Sequence, residues 1–169
     1  WKKDIIHLSG GSASNQATLF RFLNDMGEVI ENNSFGADVF TFRKTSADPL
    51  QQVSTEQIMK KVNEGASMIT FFGHSAVGTF DFSLEDPSAY DNAGRNPIIL
   101  SLGCHSGNIH TSSGGISEDF VLAEERGAIA FIASSGPAYP EPQYDTGINF
   151  YDLIGGEMYG APIGEILQK

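Results

Sequence analysis

Two apolar stretches that end in the same way decide the fold. Residues 68–75 read MITFFGHS, and residues 97–104 read PIILSLGC. Each apolar run has the length of a strand and is far shorter than a membrane-spanning helix. Their continuous rather than alternating apolar character is typical of strands that are covered on both faces of a parallel sheet. We therefore predict two buried strands, at 68–72 and 97–102.

The segments on either side of these strands alternate between strand and helix patterns. Strands are predicted at 4–8, 37–42 and 128–133, and helices at 14–31, 54–65, 116–125, 147–158 and from 162 onward. Ser12 or Ser14 is the expected N-cap of the first helix. Loops are expected around Pro49, at 106–115 and at 137–142, with a short extended arm at 79–83. The alternation predicts an α/β fold, with a mainly parallel sheet of five or six strands and helices on both faces.

Composition and charge bound the class of protein. The 169 residues are 40% hydrophobic and 18% charged, which is typical of a globular domain. The net charge of −11 argues against a nucleic-acid partner, because phosphates would be repelled. No apolar run is long enough to span a membrane. Since the chain begins at Trp1, without Met or a leader, we expect it to be part of a longer polypeptide, the rest of which is then a partner.

Two of the predicted strand ends carry side chains suited to nucleophilic catalysis. His74 follows Gly73, and Cys104, the single cysteine, follows Gly103. The carboxyl ends of parallel strands open on one edge of a sheet, so neighbouring strands would bring the thiol and the imidazole together. A thiol needs such a base because the thiolate is the nucleophile. The backbone amides of Cys104 and Ser75 are the candidates for an oxyanion hole.

Other motifs are weaker. The stretch GHSAVG at 73–78 imitates a serine-hydrolase elbow, but it is one residue too long and no helix is predicted to follow. Cysteine-dependent amidotransferases place their histidine well after the cysteine, which is the wrong order here. Cys104, His105 and His110 match no zinc spacing, so we expect no metal and no cofactor. Ser9-Gly10-Gly11-Ser12 is interpreted as a turn and a helix cap, and His7 as a paired core or rim residue.

The order and spacing of several segments resemble those of the gingipain-like cysteine peptidases. TFFGHS at 70–75 resembles the Gly-His motif of that family, and LSLGCHSGN at 100–108 resembles its nucleophile segment. The stretches ISEDF at 116–120 and GAIAFIASS at 127–135 are similar to its next helix and strand. Two positions depart from the family pattern. Ser75 stands where a glycine usually follows the histidine, and the first strand ends without an acidic residue.

The resemblance implies a caspase-like three-layer fold and a catalytic subdomain whose N-terminal companion lies outside these 169 residues. It also implies a cysteine endopeptidase with a polypeptide substrate, secreted or at the cell surface, acting in the processing or secretion of exported proteins. Cys104 would be the nucleophile and His74 its acid–base partner, with Gly73, Gly103 and Tyr139 at the substrate pocket. The alternative is a non-catalytic domain that binds a peptide or a partner.

Overall fold

The computed structural model describes residues 1–44, 52–82, 84 and 86–169, so the predicted loop around Pro49 and the end of the arm at residue 83 lie outside it. The strands are β1 (Asp4–Ser9), β2 (Asp38–Arg43), β3 (Met68–Phe72), β4 (Ser75–Ala76), β5 (Thr79–Phe80), β6 (Ile98–Leu102) and β7 (Ala130–Ala133). The helices are α1 (Gln16–Asn32), α2 (Gln52–Glu64), α3 (Ile116–Leu122), α4 (Pro140–Gly155) and α5 (Ile163–Ile166), with a 3₁₀ turn at Pro87–Ala89.

Five of the described strands form one sheet in the order β2-β1-β3-β6-β7, and every neighbouring pair is parallel. The short strands β4 and β5 form a separate antiparallel hairpin directly after β3. Thr79–Phe80, the start of the predicted arm at 79–83, form the second strand of this hairpin. The α/β architecture predicted from the sequence is confirmed.

Helices cover both faces of the sheet because alternate side chains of the strands point in opposite directions. On one face, apolar residues of β1, β3 and β6 pack with α1, α4 and α5. On the other face, the intervening residues of the same strands pack with α2 and α3. Leu23 of α1 and Ile69 of β3 are fully buried in these two layers. Burial of such a side chain contributes roughly 1.5–3 kcal/mol relative to exposure.

The beginnings of two helices differ from the sequence prediction. α1 has Asn15 at its N-cap, not Ser12 or Ser14, and a turn precedes it in which the Ser12 carbonyl accepts hydrogen bonds from the Asn15 and Gln16 amides. α4 begins at Pro140, seven residues before the predicted start. Proline is tolerated there because the first N–H groups of a helix have no acceptor within the helix.

Helix α4 is held against the rest of the fold by one close approach and one buried polar contact. A Cβ at Gly147 would lie 2.5 Å from Met26 Cε of α1, so glycine lets the two helices meet. The Tyr151 hydroxyl lies 2.8 Å from His7 Nε2 and 2.6 Å from Thr70 Oγ1. This confirms His7 as a paired core residue. Burial lowers the pKa of His7 to about 3 and raises that of Tyr151, so both side chains are neutral at physiological pH.

No helix among the described residues combines the length and the apolar character that crossing a bilayer requires.

Candidate active site at the carboxyl ends of the strands

The register of the sheet brings the two candidate catalytic residues to the same level on neighbouring strands. Phe72, the last residue of β3, pairs with Leu102, the last residue of β6. Gly73 and Gly103 therefore follow at the same level, and His74 and Cys104 one residue later. Adjacent strands lie about 4.8 Å apart, so their next residues emerge as neighbours at one edge. The adjacency that the sequence analysis required is thus present.

A small cleft of about 50 Å³ opens at this edge between the sheet, α1 and the start of α4. Five of the predicted site residues line it together, namely Gly73, His74, Gly103, Cys104 and Tyr139. The rest of its wall comes from Asn15, Leu19, Phe72, Leu102, Ala138, Pro140 and Gln143. Ser75, the sixth predicted residue, is not part of the lining. It lies in β4, directly after His74.

The thiol of Cys104 is half-buried and faces the backbone of the segment that follows β7. Sγ lies 3.4 Å from both the amide nitrogen and the carbonyl oxygen of Ala138. The thiol therefore donates to the carbonyl, and the Ala138 amide donates to the sulfur.

Backbone hydrogen bonds join the loop after Cys104 to the same segment. The amide of His105 donates to the Gly136 carbonyl at 2.9 Å, and that of Gly107 donates to the Ser134 carbonyl at 3.0 Å. His105 has a φ of 56°, a left-handed conformation that is uncommon outside glycine. The predicted surface loop at 106–115 begins with a buried residue, Ser106. Its hydroxyl lies 2.7 Å from that of Ser101.

The imidazole of His74 is exposed at the other side of the cleft. Its Nε2 lies 3.5 Å from Nδ2 of Asn15, the residue at the N-cap of α1. The contact is at the outer limit of hydrogen-bond distance, so it orients the ring only loosely.

A carboxylate that the sequence analysis did not single out holds the backbone of this histidine. Asp81 Oδ1 accepts from the His74 amide at 3.1 Å, and Oδ2 accepts from the Gly11 amide at 2.7 Å. The Asp81 amide in turn donates to the His74 carbonyl at 2.9 Å. Lys44, only 14% exposed, lies 3.9 Å from Oδ2. Asp81 thus joins the ends of three adjacent strands, β2, β1 and β3.

Steric crowding by Asp81 explains why residues 10 and 73 are glycines. A Cβ on Gly10 or on Gly73 would collide with Asp81 Oδ1. The signal that could have pointed to Asp81 was therefore the pair of glycines at the ends of β1 and β3. Sequence alone could not connect them with a residue that comes later, in the turn after β5.

Ser75 connects the two loops. Its hydroxyl donates to the Cys104 carbonyl at 2.7 Å. A Cβ on Gly103 would collide with that hydroxyl oxygen, which is why glycine precedes the cysteine. Ser75 lies in an extended strand and not in a left-handed turn, so a residue with a side chain fits where the resembling family usually has glycine. The hairpin that follows also differs from the helix that a serine-hydrolase elbow requires.

Across residues 1–44, 52–82, 84 and 86–169, no three His, Cys, Asp or Glu side chains are grouped closely enough to hold a metal ion. Cys104, His105 and His110 do not form such a group.

The model of peptidase family C25 matches residues 1–169, which is the whole chain. The chain belongs to peptidase family C25. Among curated protein sequences, none matches it significantly.

Solved structures show the same fold as this family C25 chain. The crystal structure of the Arg-specific cysteine proteinase gingipain R superposes with a TM-score of 0.73 at 19% identity, covering 91% of this chain and 37% of that one. A complex of the Porphyromonas gingivalis RgpB pro- and mature domains gives a TM-score of 0.75 at 17% identity, covering 93% of this chain and 38% of that one. The chain therefore spans well under half the length of these structures. The likeness shows the caspase-like α/β fold.

Proposed function

We propose that this family C25 chain carries the catalytic centre of a cysteine endopeptidase, with Cys104 as the nucleophile and His74 as the acid–base residue. The observation that carries the proposal is the shared cleft, because both side chains line it from the ends of two adjacent, in-register strands. The family assignment supports the same reaction.

In this reaction His74 takes the proton of the Cys104 thiol, and the thiolate attacks the carbonyl carbon of the scissile bond. The backbone amides of Cys104 and Ser75 stabilise the oxyanion. His74 then protonates the leaving amine, the C–N bond breaks and a thioester to Cys104 remains. Water, deprotonated by His74, hydrolyses the thioester and restores the thiol.

Two features of the cleft favour this chemistry. The Ala138 amide and carbonyl both lie 3.4 Å from Sγ and hold the sulfur in place beside the cleft. The exposed imidazole of His74 is open to a substrate and to water. The polypeptide substrates would be exported proteins, and the site of action the cell surface or the outside of the cell, as the family resemblance implies.

A thiol-reactive peptide probe tests the proposal directly. Because Cys104 is the single cysteine, covalent labelling reports on this residue alone. We expect the full chain to be labelled, and His74→Ala to slow labelling by about 100-fold or more, the usual contribution of a general base. His110→Ala, at an exposed histidine of the neighbouring loop, is the matched control and should label at the wild-type rate.

Equal labelling of the wild-type and His74→Ala proteins would contradict the dyad. It would favour the alternative of a non-catalytic peptide-binding domain, in which the thiol is accessible but not activated.

A further inference from the structure

The position of the cleft beside Cys104 determines which residue of the substrate it can receive. The carbonyl carbon that Sγ attacks is bonded directly to the Cα of the residue before the cleaved bond. The side chain of that residue therefore leaves the backbone within a few ångströms of the sulfur. The cleft that Cys104 and His74 line is the space available to it.

The size of the cleft limits that side chain. Its volume is about 50 Å³. An apolar cavity of about 150 Å³ binds a benzene ring, whereas about 10–15 Å³ is enough for one water molecule. The space thus suits a side chain of one to three heavy atoms. Its inner wall is formed by Leu19, Phe72 and Leu102, each at most 2% exposed and packed in the layer between the sheet and α1. This wall cannot retreat without disturbing the core.

The part of the lining that the structure describes also contains no carboxylate, ammonium or guanidinium group. None of the described residues that form it is Asp, Glu, Lys or Arg, and its polar side chains besides His74 and Cys104 are Asn15, Gln143 and the mouth residue Tyr139, which is 71% exposed. A guanidinium or ammonium group entering this space would lose water without gaining a carboxylate. Asp81 cannot supply this carboxylate to the substrate, because its oxygens already contact the Gly11 and His74 amides and Lys44.

We propose that this chain cleaves after small, uncharged residues such as Ala, Ser or Thr, and not after Arg or Lys. The inference rests on the proposed peptidase function and adds the substrate class. It separates this chain from the structurally similar gingipain R, an Arg-specific cysteine proteinase.

The test is a set of fluorogenic peptide amides that differ only in the residue before the cleaved bond, with Ala, Ser, Thr, Leu, Phe, Lys and Arg in turn. We expect kcat/KM for Ala and Ser to exceed that for Arg by at least about tenfold, the usual scale of discrimination by a pocket. A higher value for Arg or Lys would overturn the charge argument. A higher value for Leu or Phe would overturn the size argument.

A charge substitution in the wall sharpens the test. Gln143→Glu places a carboxylate at the cleft and should raise the ratio of Arg to Ala cleavage several-fold. Asn149→Asp adds the same charge to an exposed position of α4 and should leave the ratio unchanged. An unchanged ratio in Gln143→Glu, or an equal rise in both variants, would contradict the assignment of this cleft to the substrate side chain.

Failure of the specificity and failure of the peptidase function give different results. A small iodoacetamide-type reagent needs no side-chain pocket, so its reaction with Cys104 and the dependence of that reaction on His74 report the dyad alone. His74-dependent alkylation together with preferred cleavage after Arg would refute the inference and keep the peptidase. Alkylation that does not depend on His74, with no peptide cleaved, would refute both.

Discussion

The two loops that carry His74 and Cys104 are held in different ways. The histidine loop depends on a single carboxylate, since Asp81 receives amides from the ends of β1 and β3 and pairs with Lys44 after β2. The cysteine loop depends on the main chain of the segment after β7, through hydrogen bonds to Ser134, Gly136 and Ala138. One loop is thus specified by a side chain and the other by the course of the backbone.

This difference indicates which kind of substitution would displace each of the two loops. A side-chain substitution at one position can release the histidine loop, because two amide donors and an ammonium group would lose the same partner. The cysteine loop tolerates most side-chain changes in its partner segment, because carbonyl and amide groups survive them. It is sensitive instead to any Cβ that forces the two backbones apart.

The largest effect is expected from Asp81→Ala. The Gly11 and His74 amides would lose their acceptor, at about 1 kcal/mol each because neither contact is fully buried, and the largely buried Lys44 would lose its counter-charge. We expect both a drop in the free energy of unfolding, measured with urea, and a labelling rate of Cys104 at least about tenfold lower.

Two further variants test whether the effect of Asp81→Ala is specific to this carboxylate. Asp81→Asn keeps one carbonyl acceptor and should recover part of the rate. Asp38→Ala, at an exposed carboxylate where β2 begins, should leave both measurements near wild type. Wild-type labelling by Asp81→Ala would show that the backbone of the histidine loop does not need this anchor.

The next effect tests the cysteine loop through Gly107→Ala. The new Cβ would lie 2.8 Å from the Ala133 carbonyl oxygen, and backbone cannot move aside cheaply. We expect a loss of stability of about 1–3 kcal/mol, as for overpacking, together with slower labelling.

Gly136→Ala is the matched control in the partner segment, because a Cβ there meets nothing within 4 Å. It should change stability by less than about 0.5 kcal/mol. Equal effects of the two substitutions would mean that loss of glycine flexibility, and not the close approach to Ala133, explains the result.

The smallest effect is expected from Ser75→Ala, which removes the side-chain hydrogen bond between the two loops. The expected loss of stability is about 1 kcal/mol, and labelling should slow a few-fold because the loops can move relative to each other. Ser113→Ala, in an exposed loop, is the comparison. Faster labelling in Ser75→Ala would show that this hydrogen bond restrains the cysteine and does not position it.

Much of this site follows from short-range pattern. The apolar runs before Gly73 and Gly103 predict buried parallel strands, and the edge rule for such strands predicts that His74 and Cys104 meet. The first residues of the helices are harder to predict from the sequence. The prolines at 137–142 predict a loop, although Pro140 opens α4, because proline is compatible with both a loop and a first helical turn.

The sequence by itself determined the α/β class and the two buried strands that end in Gly-His and Gly-Cys. These are properties of contiguous residues, and apolar periodicity reports them directly. Only the tertiary structure decided that Asp81 joins three strand ends, that Ala138 faces the thiol, and that Leu19 and Gln143 close a small cleft. Ala138 lies 34 positions after Cys104, and Asp81 lies 70 positions after Gly11. Such contacts depend on the strand order and on the course of the loops, which no local pattern encodes.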